Sequence, residues 1–169
     1  MDDRAYTADR ESLSVRTTSS TLDDMFIETV VLIALVGTGL VAGLFLTFSI
    51  AVLPGLQRLP PARAAAAMQQ INRAILNPLF GLVFGGTAVA SVIVAVTALP
   101  GDPLRFLAAL LTLAGGYVVT FAANIPLNNA LDRAEPDAAA WERFAGPWTR
   151  WNHLRALTTT AATVLLALA

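Results

Sequence analysis

The chain contains no cysteine, no lysine and a single histidine. Without cysteine there is no disulfide, no thiolate nucleophile and no thiolate metal ligand. One histidine excludes a site built from several imidazoles of one chain. Charge is scarce as well. Only 14% of the 169 residues are charged, against about 25% in soluble domains. Every cation is an arginine and the net charge is −1, so no basic face offers itself to nucleic acid. Hydrophobic residues make up 56% of the chain. This balance predicts an all-α integral membrane protein with one membrane domain.

Residues 1–24 are polar, mixed in charge and without an apolar period, and read as a disordered N-terminal tail. They are not a signal peptide, because the apolar run that follows is too long and acidic residues precede it. The membrane domain is expected over residues 25–169, with spans at about 26–53, 78–99, 104–125 and 150–169. Pro54-Gly55 is expected to end the first span, and Pro126 to kink or end the third. Gly39 and Gly43, then Gly81, Gly85 and Gly86, offer surfaces for close helix packing. Pro60-Pro61 opens a short helix in the first connection, and Asn77-Pro78 is a helix start with Asn77 as the cap. Pro100-Gly101-Asp102-Pro103 is a tight turn. A new helix is expected from Ala138. Its residues Trp141, Phe144, Trp148, Trp151 and Arg155 fall at 3-4-3-4 spacing, one stripe.

Only 14 residues follow Arg155, a largely apolar run of about 21 Å of helix, which is short of a bilayer core of about 30 Å. Extending the last span back to Arg150 places Trp151, Asn152, His153 and Arg155 at the membrane interface. The expected architecture is a four-helix membrane bundle with two short interfacial helices, in the first and third connections. Arginines number seven on the side of those two connections and four on the other. That bias puts the site-bearing connections in the cytoplasm and both termini outside, in a plasma membrane.

Up-down topology brings one polar set together: Asn72, Asn77, Asn124, Asn128, Asn129, Trp148, Trp151, Asn152, His153 and Arg155. Polar groups at membrane depth are expensive and mark a site or a structural hydrogen bond. Plainer roles compete at each position. Trp141 and Trp151 suit an anchor belt, Asn77 a cap, and Asn124 the carbonyls that Pro126 frees. Arg155 is also placed to snorkel to headgroups. On an ideal helix His153 points about 140° away from Trp148, which counts against one pocket holding both. Small-residue rows would serve pairing of chains or packing within one bundle equally well.

Four segments are similar to the anthrone oxygenase family of small membrane proteins: Gln69-Gln70-Ile71-Asn72-Arg73, Asn77-Pro78, Asn124 to Leu131, and Trp148 to Arg155. The resemblance runs over roughly residues 26–169. It implies a monooxygenase that oxidises an anthrone-like polyketide with O₂ to a quinone. In that scheme His153 is the candidate base, Arg155 stabilises an enolate oxygen, and Asn124, Asn128 and Asn152 donate hydrogen bonds. Trp148 and Trp151 stack on the rings, and Asn72 and Asn77 complete the binding set. No metal is required, although His153 leaves room for a metal or a haem. The implied partners are the lipid bilayer, an aromatic small molecule and O₂. Two other classes compete: a membrane protein that carries a lipophilic or quinone-like molecule unchanged, and a purely structural subunit.

Overall fold

In the computed structural model, residues 3–99 and 101–169 are described, with side chains from residue 21 onward. Among these residues there is no strand. Helix α1 (Asp3–Thr47) passes through a wide π turn (Phe48–Val52) into α2 (Leu53–Leu56). The tail expected at residues 1–24 lies mostly outside the described side chains; its backbone joins α1 from Asp3. Next come α3 (Pro61–Ile75) and α4 (Pro78–Thr97). Helix α5 (Pro103–Leu111) continues through two π turns (Thr112–Val118 and Thr120–Asn124) into α6 (Ile125–Arg133). Helix α7 (Ala138–Leu168) then runs unbroken, with Pro147 inside it.

The helix starts follow local chemistry. Asn77 accepts the Phe80 N–H at 3.0 Å, with Pro78 in the first turn. Asp102 accepts the N–H groups of Leu104 and Arg105, and Asp137 accepts that of Ala140. The first long helix ends at Leu56, one residue past the expected Pro54-Gly55, whereas the third does not end at Pro126 but runs on to Arg133. Leu53 N–H bonds to Phe48 O and Ile125 N–H to Thr120 O, each five residues back and each one residue before a proline. A π turn absorbs the missing proline donor, so both helices run on past Pro54 and Pro126.

Helix α1 packs on α4 and on α7, and α5 packs on α4 and on α7. Small residues set the close approaches. Gly37 faces Thr87, Gly115 faces Thr158, and Gly116 faces Thr159. By contrast Gly43, Gly81, Gly85 and Gly86 face open space, so the expected packing row on α4 is not used within this chain. The buried face of α4 is Thr87, Ala90, Ser91 and Val94 instead.

Among the described residues, three stretches are long and apolar enough to cross a membrane: Thr21–Leu56, Pro78–Thr97 and Pro103–Arg133. Their outward faces are apolar, as at Leu32, Val36, Leu82, Val96, Leu110 and Phe121. Such surface fits a lipid bilayer, where it needs no further burial. At one end α2, α3, α6 and the first half of α7 close over a second layer of core built on Leu53, Met68, Leu131, Trp141, Phe144 and Trp148. Gln69 Nε2 ties that end together by donating to Leu131 O at 2.8 Å and Ala134 O at 3.0 Å, the last carbonyls of α6 and its exit.

Candidate functional site

A cavity of about 120 Å³ lies beneath this closed end. Its walls are apolar and aromatic: Phe45 and Phe48 from the end of the first long helix, Phe80 and Phe84 from α4, and Trp148 from α7. Phe48 and Trp148 rings lie 5.5 Å apart, and Phe144 backs Trp148 at 5.8 Å. On the opposite wall Phe84 meets Phe80 at 5.1 Å and Tyr117 at 4.4 Å. The polar lining consists of Asn72, Thr120, Asn128 and Arg155. Leu76, 78% exposed, stands at the mouth.

Among the described residues, Arg155 is the only charged one lining the cavity, and it is 5% exposed. Its Nη1 donates to Thr120 Oγ1 at 3.0 Å and its Nη2 to Asn152 Oδ1 at 2.7 Å. The guanidinium lies over the Phe45 ring, 4.1 Å from its centre, and 5.4 Å from the Trp148 ring, a cation–π arrangement. Among the described residues no carboxylate pairs with it, and its Nε is buried without a partner. A buried cation held only by neutral oxygens and aromatic faces leaves positive potential in the cavity.

The residues named from sequence fall into three groups. Arg155, Trp148, Asn72 and Asn128 line the cavity together. Asn152 and Asn124 stand behind it. Asn152, fully buried, donates to Phe45 O and Ser49 Oγ. Asn124 donates to Trp148 O at 3.3 Å, while its Oδ1 is buried and unpartnered. Asn124 thus binds α7 rather than the carbonyls around Pro126.

The remaining four lie elsewhere, Asn129 being exposed on α6. Asn77 is an exposed cap. Trp151 is 43% exposed in a shallow groove with Pro147, Arg150 and Leu154. The buried face of α7 runs through Trp148, Asn152, Arg155 and Thr159, so Asn152 takes the inward place assigned to Trp151 in the stripe. His153 is exposed, and its Nδ1 lies 2.9 Å from Ser49 Oγ. The 140° separation from Trp148 holds because α7 stays helical through Asn152.

Phe45, Ser49 and Thr120 belong to the site and were not singled out from sequence. Thr120 had a signal in its four-residue offset from Asn124, which puts both on one helical face. Phe45 and Ser49 share that offset on the first long helix. Among the described residues, no three His, Asp or Glu side chains converge as metal ligands.

No curated protein and no solved structure matches this chain. One family does: the anthrone oxygenase family matches residues 68–165. The matched stretch begins at Met68 on the cavity wall, holds Asn72, Thr120, Asn128, Trp148 and Arg155, and leaves out Phe45, Phe48 and Ser49. Since it covers more than half of the sequence and all four residues of the polar lining, this chain belongs to the anthrone oxygenase family.

Proposed function

We propose that the protein is a membrane-embedded oxygenase that oxidises an anthrone-like polycyclic aromatic with O₂ to a quinone. The observation that carries this reading is the unpaired, buried guanidinium of Arg155 in an aromatic-walled cavity. Flat apolar walls suit a fused-ring ligand, and a cation without a counterion suits an oxygen that gains negative charge. Family membership supports an oxygenase-like role.

The chemistry needs little more. The central methylene of an anthrone loses a proton to water at the mouth, and the resulting enolate oxygen rests on Arg155. The enolate gives one electron to O₂, and the two radicals join in a carbon–oxygen bond. The peroxide takes up a proton. Loss of water then breaks the O–O bond, removes the remaining methylene proton and leaves the second carbonyl. One O₂ is used, one of its atoms enters the quinone and the other leaves as water. No external reductant is required. Thr120 and Asn152 aim the guanidinium, and Trp148, held by Asn128, fixes the ring plane.

In this reading the second half of α7 is a fourth span. Its outward Leu157, Val164 and Leu168 support that placement. The excess of arginines on the connections carrying the closed end favours that end as cytoplasmic.

O₂ uptake by the purified protein with a simple anthrone, corrected for autoxidation, tests the proposal. Uptake above background that Arg155→Gln abolishes is the expected result. Tight binding of a hydroxyanthraquinone with no uptake across several anthrones would point to a carrier instead.

A further inference from the structure

We infer that His153 and Ser49 are positioning residues that act on Arg155 from outside the cavity through Asn152. The route is one unbroken set of contacts. His153 Nδ1 lies 2.9 Å from Ser49 Oγ, Asn152 Nδ2 donates to Ser49 Oγ at 2.8 Å, and Arg155 Nη2 donates to Asn152 Oδ1 at 2.7 Å. It joins an exposed imidazole to a guanidinium that is 5% exposed.

Each link fixes the direction of the next. Asn152 is fully buried and its amide nitrogen has two acceptors, Phe45 O and Ser49 Oγ. An amide has one oxygen face and one nitrogen face. With the nitrogen held toward the first long helix, the oxygen must face Arg155. Ser49 Oγ accepts from Asn152, so its own proton is free to go to His153 Nδ1. That requires an imidazole with Nδ1 bare and the proton on Nε2. His153 thus holds the Ser49 hydroxyl in the rotation that presents a lone pair to Asn152.

The π turn contributes to this geometry. Ser49 sits in the wide turn before Pro54, and Asn152 reaches both it and Phe45 O one turn earlier. The inference rests on the reading that Arg155 meets the ligand. It assigns His153 a role different from that of a base, since its ring lies outside the cavity.

The test uses full-length protein in detergent with ¹⁵N-labelled arginine, the Arg155 guanidinium signals being assigned by their loss in Arg155→Lys. Ser49→Ala and His153→Ala are each expected to shift those signals, and the double variant to shift them no further than the larger single change. His153→Asn, which keeps an acceptor, and Ser49→Thr, which keeps the hydroxyl, are expected to restore them. Anthrone-dependent uptake should follow the same pattern, falling about tenfold to a hundredfold in the alanine variants, as expected for a misplaced positioning group.

Arg155 signals that stay put in both alanine variants would overturn the inference. So would a His153→Asn enzyme as inactive as His153→Ala with Arg155 signals unmoved, which is the behaviour of a base. His153 is exposed, so its variants decide the question even where Ser49→Ala fails to fold. A wild type without uptake removes the proposed reaction but leaves the spectroscopic result standing.

Discussion

The indole nitrogen of Trp148 donates to Oδ1 of Asn128 across 2.7 Å, joining α7 to α6 at the wall of the cavity. Trp148 is 4% exposed, so its N–H has no water to fall back on. Asn128 can reach it only because the third long helix continues past Pro126. Truncation by Asn128→Ala orphans a buried donor and should destabilise the protein by about 1–3 kcal/mol. Replacing the donor as well should recover part of that loss. In thermal unfolding, Trp148→Phe is therefore expected to cost less in the Asn128→Ala background than in the wild type. Equal costs in both backgrounds would mean that the two residues are not coupled.

Glycine substitutions should separate contacts within the chain from unused surface. A Cβ at Gly115 would meet the Oγ1 and Cβ of Thr158, a branched side chain that cannot simply swing aside. Gly115→Ala should cost about 1–3 kcal/mol by overpacking. At Gly85 the same Cβ meets nothing within 4 Å. There alanine should stabilise by roughly 0.5–1 kcal/mol, because glycine is a poor helix residue. Destabilisation by Gly85→Ala would show that this face is covered by something outside the chain, with a second copy the first to test by sedimentation.

Asn77 offers a control for the site. It caps α4, donates to Ala74 O and Ile75 O, and does not line the cavity. Asn77→Ala should cost about 1 kcal/mol of stability and leave the affinity for a hydroxyanthraquinone, read by tryptophan quenching, unchanged. A large loss of affinity at unchanged stability would place Asn77 in the binding set after all.

Some of this architecture was legible from local chemistry. Asn77-Pro78 reads as a helix start because cap and proline act within one turn. The scarcity of charge and the length of the apolar runs lead directly to helices of membrane length. The outward turn of His153 follows from 100° per residue alone. What failed depended on register. The first helix ends at Leu56, close to Pro54 as the rule has it, but at Pro126 a π turn lets the helix run on to Arg133 and shifts every later residue around the axis. Four-residue offsets put Thr120 with Asn124 and Ser49 with Phe45, but spacing alone does not show that these faces meet the site. The choice between Trp151 and Asn152 was similar. Both fit a 3-4 stripe with Trp148, and contact with Phe45 and Ser49 on another helix selects Asn152.

Arg155 should separate function from stability. Its guanidinium is buried with no counterion among the described residues, and moving an ion out of water costs several kcal/mol even after relaxation. Two side-chain hydrogen bonds and an aromatic face offset part of this. Arg155→Met removes the ion and keeps the packing volume, at the cost of leaving Asn152 Oδ1 unpaired, about 1–3 kcal/mol. The desolvation relieved is of equal or larger size, so the fold should be no less stable than wild type. Asn152→Ala works the other way. It leaves the ion in place, removes its 2.7 Å acceptor and releases the bonds to Phe45 and Ser49, so it should be the more damaging of the two. Unfolding in detergent ranks the variants, and quenching by a hydroxyanthraquinone reads the site. Arg155→Met is expected to fold as well as wild type and to bind the ligand far more weakly. If it unfolds more readily than Asn152→Ala and retains full affinity, Arg155 is a structural clamp and the cavity's ligand carries no negative oxygen.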